Sequence, residues 1–201
     1  MKDKAWFGPV FMLICTAIFT GILSGVYVYS RPLIQANARL SEITAQLHAL
    51  DIAVPADVSS TDLESSYEQN IEETNINGRT LYQYETDEGE VNYAIPFKGA
   101  GLWGEITGII AIDQELKTVL GMDFISQNET PGLGGRIEED WFKEQFRGVA
   151  LFEDGAPIRY AAPGSEGQID AITGATATSS AVVDILNASI QDAKSKIGGG
   201  N

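Results

Sequence analysis

The chain has 201 residues, 44% of them hydrophobic, and a formal net charge of −15 at neutral pH. That length fits one medium domain beyond any anchor, and the composition supplies a genuine core. The charge argues against nucleic acid and against anionic lipid surfaces as partners, because both need clustered Lys and Arg.

Residues Ala5 to Tyr29 carry no charged side chain. As a helix rising 1.5 Å per residue, the stretch is about 37 Å long, enough to cross a hydrocarbon core of roughly 30 Å with some tilt. It is longer than the apolar core of a signal peptide, about 7–15 residues, and no small-x-small cleavage site follows it. Tyr27 and Tyr29 at its end suit a membrane interface. Bulky Ile14 before Cys15 speaks against a lipoprotein attachment site. A retained transmembrane anchor over residues 1–31 is expected. Lys2, Lys4 and the terminal amine precede it and Arg31 follows closely, a bias that places the N-terminus in the cytoplasm and the rest outside. Gly21 and Gly25 offer a close-packing face to a neighbouring helix.

Residues 32–77 read as a membrane-proximal helix and an acidic linker. Leu33, Leu40, Ile43, Leu47 and Leu50 share one side of that helix, and a short helical piece is expected near Thr61–Ile71. The domain proper is expected over residues 78–197. Thr80–Thr86 and Val91–Phe97 alternate apolar and polar residues across Asp87–Glu90, a hairpin pattern. Ile106–Ile112 and Thr118–Ile125 are two further strands, separated by a turn at Asp113–Lys117. Trp141–Phe146 reads as a short amphipathic helix, and Gly148–Tyr160 as one or two short strands. After Thr176, Val182, Ile185, Leu186 and Ile190 recur at helical spacing. Residues 198–201 are expected to be a flexible tail. The fold class is α+β: a single N-terminal transmembrane helix, then a small antiparallel-sheet domain with a C-terminal helix.

Three segments carry chemistry. Asp170-Ala-Ile-Thr173-Gly174-Ala175-Thr176-Ala-Thr178-Ser179-Ser180 gathers a carboxylate, a Gly-Ala step and a cluster of hydroxyls at the entrance of a helix. Unpaired N–H groups and the positive dipole end favour a phosphate there without Lys or Arg. A Thr hydroxyl at that place can be esterified to the phosphate; its ordinary role is an N-cap. Glu129-Thr130-Pro131-Gly132-Leu133-Gly134-Gly135 is a glycine-rich loop whose backbone can approach a flat ligand closely, or a simple turn. Gly101-Leu102-Trp103-Gly104 is a loop before a strand.

Other chemistries lack their residues. The single histidine, His48, lies on the membrane-proximal helix, so no Ser-His-Asp triad can form near Thr176. One Cys and one His make neither a zinc site of ordinary composition nor an iron–sulfur cluster. No phosphate-binding Gly-x-x-x-x-Gly-Lys loop and no dinucleotide fingerprint is present.

Asp-x-x-Thr-Gly-Ala-Thr resembles the covalent flavinylation motif, Asp-x-x-(Ser/Thr)-Gly-Ala-Thr, of the FMN-binding domain family, with every specified position matched. Glu-Thr-Pro-Gly-Leu-Gly resembles a second signature of that family, and Gly-Leu-Trp-Gly a third feature. The resemblance implies an FMN joined through its phosphate to Thr176, with Asp170, Thr173, Gly174, Ala175 and Thr178 around the attachment. It places Leu102, Trp103, Glu129, Thr130, Leu133 and Gly134 near the ring. It also implies attachment by a separate flavin transferase using FAD, with Asp170 part of the motif which that enzyme reads. The whole looks like the single-span flavoprotein subunit of ion-translocating oxidoreductase complexes of the bacterial inner membrane. Such a subunit works with other membrane subunits and is not catalytic alone. The short linker region leans toward the Rnf type; Gly-Leu-Trp-Gly points toward the NADH:quinone type. The contrasting expectation is a membrane-anchored scaffold domain without cofactor, in which the hydroxyl cluster is only a helix cap.

Overall fold

The computed structural model describes residues 6–52, 59–86, 88–153, 155–161 and 168–198. Lys2, Lys4, the linker at residues 53–58, Asp87 of the hairpin turn and the tail from residue 199 lie outside the described residues. The chain divides into two compact units, Met1–Arg39 and Leu40–Asn201.

The first unit is helical. It contains most of α1 (Phe7–Ala49), the one helix among the described residues long and apolar enough to cross a membrane. Pro32 lies inside α1 and cannot donate the usual backbone hydrogen bond, yet the helix continues across it. The helix thus runs unbroken through residues 31 and 32. From Leu40 onward the helix belongs to the second unit.

In that unit α2 (Ser60–Asn70) starts on Ser59, whose hydroxyl accepts the Asp62 N–H at 3.2 Å, a side-chain N-cap. Five strands follow in an antiparallel sheet of order β1-β2-β3-β4-β5: β1 (Ile71–Ile76), β2 (Arg79–Glu85), β3 (Val91–Ala100), β4 (Glu105–Ile112) and β5 (Val119–Ser126). The hairpin expected from alternation forms with Tyr82 opposite Ala94. Residues 71–76, expected in the linker, instead form the edge strand β1 against β2. Beyond the sheet come a 3₁₀ turn (Gly134–Glu138), α3 (Asp140–Lys143) and a second 3₁₀ turn (Glu144–Phe146). The helix expected over Trp141–Phe146 is thus split. Tyr160–Ala161 (β6) and Ile169–Asp170 (β7) pair in parallel, and α4 (Thr176–Ile197) closes the domain.

Both faces of the sheet are covered, because successive residues of a strand point to opposite sides. Ile110 and Ile112 of β4 join Leu81, Ile95, Phe97 and Met122 beneath Val182, Leu186 and Ile190 of α4. Ile109 and Ala111, their neighbours in sequence, join Tyr82 and Ala94 against Ile43 and Leu47 of α1, Leu50 just beyond it, and Tyr67 of α2. This is why β4 reads as a nearly unbroken apolar run. Each such side chain contributes about 1.5–3 kcal/mol on burial. The helix α4 lies so close to β3 that a Cβ at Gly99 would sit 2.5 Å from Ile185 Cγ1.

Asp123 of β5 ties the end of α1 to α3. His48 Nδ1 lies 3.0 Å from its Oδ2, and Lys143 Nζ 3.1 Å from its Oδ1. Burial works to raise this carboxyl, but the His48 contact and the Lys143 charge outweigh it and hold it below the ordinary value.

Candidate cofactor site

The helix α4 begins without a side-chain cap. Ala175 occupies the N-cap position and has no hydroxyl to offer the first N–H groups. Thr176 is the first helical residue and its side chain is exposed. An exposed hydroxyl therefore stands at the positive end of a 22-residue helix.

The loop leading to Thr176 is fixed from several elements. Ser179 Oγ accepts the Ile172 N–H at 3.0 Å and donates to the Ala175 carbonyl at 3.1 Å. The Ala175 N–H donates to the Ile172 carbonyl at 2.9 Å, closing a turn in which Gly174 has φ +83°. Gln145, in the turn after α3, accepts the Asp170 N–H at 2.7 Å. The Tyr160 hydroxyl donates to the Thr176 carbonyl at 3.2 Å, and burial pushes this phenol above its ordinary value, so it remains a donor. Sequence reasoning missed Ser179, Gln145 and Tyr160 as builders of the site. Only Ser179 carried a signal, as a member of the hydroxyl cluster.

The glycine-rich loop turns back on itself. The Thr130 carbonyl accepts the Leu133 N–H at 3.1 Å and the Gly135 N–H at 3.0 Å. Leu133 then lies against the Thr176 loop: a Cβ at Gly174 would be 3.4 Å from Leu133 Cδ2. Beneath, Glu129 Oε2 accepts the Thr178 hydroxyl at 2.6 Å, and Oε1 accepts the Trp103 N–H at 2.9 Å. One carboxylate thus joins all three sequence motifs.

Four of the expected site residues are buried. Glu129 and Thr178 are only 5% and 1% exposed and are bonded to each other, so they form the floor of the site rather than its surface. Gly134 and Ala175 are buried beside them. The outer surface presents Leu102, Trp103 and Leu133, which are 59%, 71% and 47% exposed. Asp170, Thr130, Thr173 and Gly174 are exposed as well. Exposed apolar side chains of this size are candidates for contact with a ligand. An exposed hydroxyl at an uncapped helix start, with apolar side chains alongside, fits a planar aromatic ring carrying a phosphate tail.

Residues 101–191 match the family model of the FMN-binding domain. All three motifs lie within it. The chain is similar to the C subunit of the Na(+)-translocating NADH-quinone reductase of Yersinia pestis, 38% identical over 114 residues, covering 53% of this chain and 43% of the relative. The protein of the same name from Vibrio alginolyticus is 39% identical over 103 residues, covering 48% and 40%. The match thus spans less than half the length of these curated relatives. Among solved structures, the C subunit of the Na(+)-translocating NADH-quinone reductase from Parabacteroides distasonis superposes with a TM-score of 0.63 at 28% identity, over 78% of this chain and 89% of that one. Shewanella oneidensis NqrC shares the fold, with a TM-score of 0.61 at 16% identity over 77% and 91%.

Proposed function

We propose that this chain is an electron-transfer subunit of an ion-translocating membrane oxidoreductase, carrying FMN bound through its phosphate to Thr176 Oγ. The observation that carries the proposal is the convergence of the three motifs on Glu129, beside an exposed Thr176 at an uncapped helix start. FMN supplies one- and two-electron chemistry when bound. The chain supplies its place. Leu102, Trp103 and Leu133 offer the ring apolar contact, Thr130 and the loop N–H groups offer hydrogen bonds, and the start of α4 stabilises the phosphate charge.

Attachment needs a donor. With FAD, Thr176 Oγ attacks the phosphorus of the FMN half; the pyrophosphate bond breaks, AMP leaves, and the hydroxyl proton goes to base. A separate flavin transferase performs this step, reading Asp170 and the loop that Gln145 and Ser179 hold. A covalent bond keeps the flavin at a high local concentration where free FMN is scarce. That suits a domain outside the cytoplasm, held by residues 1–31 in the bacterial inner membrane with the N-terminus inside. The segment 32–77 then links the anchor to an FMN-binding domain over 78–197.

Other membrane subunits are the partners, and the enzyme is the assembled complex. The named relatives support the NADH:quinone type; the Rnf type rests on the shortness of the linker region. Purified complex reduced by NADH but not by reduced ferredoxin separates the two. The founding test is intact-mass analysis of the chain expressed with a flavin transferase. A mass increment of FMN less water, mapped to Thr176, supports the reading. A colourless, unmodified chain made beside an active transferase returns the site to a helix start on a scaffold.

A further inference from the structure

Glu129 is a buried carboxylate that pairs with no cation among the described residues. Both of its oxygens accept: Oε1 takes the Trp103 N–H at 2.9 Å and Oε2 the Thr178 hydroxyl at 2.6 Å. The space around it is reserved. A Cβ at Gly101 would fall 2.5 Å from Oε1, and one at Gly134 would fall 2.8 Å from Oε2. The loop it holds is a closed unit, with the Gly101 N–H donating to the Gly104 carbonyl at 2.7 Å. Trp103 itself is 71% exposed, so packing does little to fix it. Its backbone bond to Glu129 ties it to the domain.

We propose that Glu129 is the positioning residue of this site: through Trp103 N–H and Thr178 Oγ1 it locks the loop 101–104 to the helix bearing Thr176. The inference rests on the reading of Thr176 as the flavin attachment point. The distance between the ring-side tryptophan and the tethered phosphate is then set by one side chain that does not itself face the ligand. Glu129→Gln leaves the Trp103 N–H an amide oxygen in place of a carboxylate, and its N–H can only donate to Thr178 Oγ1, so both bonds are weakened or reversed. Thr178→Val removes the hydroxyl while leaving the carboxylate charge in place, and Thr178→Ser restores the hydroxyl.

The test uses the full chain in detergent, before and after loading by a flavin transferase. In the unloaded chain, amide hydrogen exchange of the peptide containing Trp103 is expected to rise roughly tenfold in Glu129→Gln and in Thr178→Val, in line with losing a bond to a charged group. Thr178→Ser is expected to exchange like the parent. In the loaded chain, both disruptive variants are expected to shift the flavin midpoint potential and its fluorescence quenching away from the parent. The double variant should add little to either single one. Parent-like exchange and parent-like potential in both variants overturn the proposal, as does a Thr178→Ser variant that behaves like Thr178→Val. Should Glu129→Gln not fold, the Thr178 pair alone decides. If the parent chain carries no flavin at Thr176, the functional reading fails, while the exchange measurement still judges the role of Glu129.

Discussion

Ser179 Oγ sits 3.0 Å from the nitrogen of Ile172, and both residues are completely buried. The hydroxyl also donates to Ala175, so a single side chain closes the loop that presents Thr176. Ser179→Ala leaves a buried N–H without its partner, at a cost of about 1–3 kcal/mol. Urea unfolding should show that loss. Intact mass after co-expression with a transferase should show reduced flavin attachment, because the acceptor loop is no longer held.

Thr176→Ala touches nothing that holds the fold together. Its effect on stability is expected within about 0.5 kcal/mol, as for exposed positions generally. Covalent flavin should disappear entirely. Fluorescent flavin that stays with the denatured variant on a gel would move the attachment to another residue.

Gly174 has φ +83°, a conformation that costs an ordinary L residue roughly 1–2 kcal/mol. The space is not the obstacle, since the nearest atom to an added Cβ is Leu133 Cδ2 at 3.4 Å. Gly174→Ala is therefore expected to lower the unfolding free energy by about that amount, and Gly174→Asn by less, because Asn tolerates the left-handed region better. Equal losses for both would place the penalty in crowding against Leu133 instead.

Asp123 gives the domain an acid-sensitive joint. Its carboxyl is held below its ordinary value in the folded state, so the unfolded chain binds more protons as the pH falls through about 4. The stability it contributes is fully present above the unfolded value and is lost as the pH falls through the lowered folded one. Asp123→Asn is expected to lose about 1–3 kcal/mol near neutrality. The variant should also show a flatter decline of stability between about pH 5 and pH 3. Unfolding free energy measured along that range for both proteins checks the sign.

The strands β2 to β5 were legible because each alternates or runs apolar between turn residues, and the length of the apolar stretch announced α1. The strand β1 was not. Its exposed residues Glu72 and Glu73 make it look like the acidic linker, and only Ile71 is buried. The stripe Ile43, Leu47 and Leu50 was visible as a helix face, but nothing in the pattern said that the far side of the sheet receives it. In the site, Asp170, Thr176 and the Glu129 loop stood out by spacing. The contacts that assemble them did not, because they are side-chain bonds across long separations: Gln145 to Asp170, Tyr160 to Thr176, Glu129 to Thr178. Sequence periodicity records which face is apolar and is silent about which polar atom meets which. That is also why the burial of Glu129 and Thr178, and the bond between them, were not legible.

The last turns of α1 set where this protein can be cut. Hydropathy alone invites removal of everything up to Leu50, to free a water-soluble piece from its anchor. Such a cut would strip Ile43, Ala45, Leu47 and Ala49 from the sheet and lay bare Tyr82, Ala94, Ile109 and Ala111. It would also take His48 from Asp123. A truncation that begins at Leu40 keeps that layer; one that begins at Asp51 yields half a sandwich, sticky on the open side and prone to aggregate.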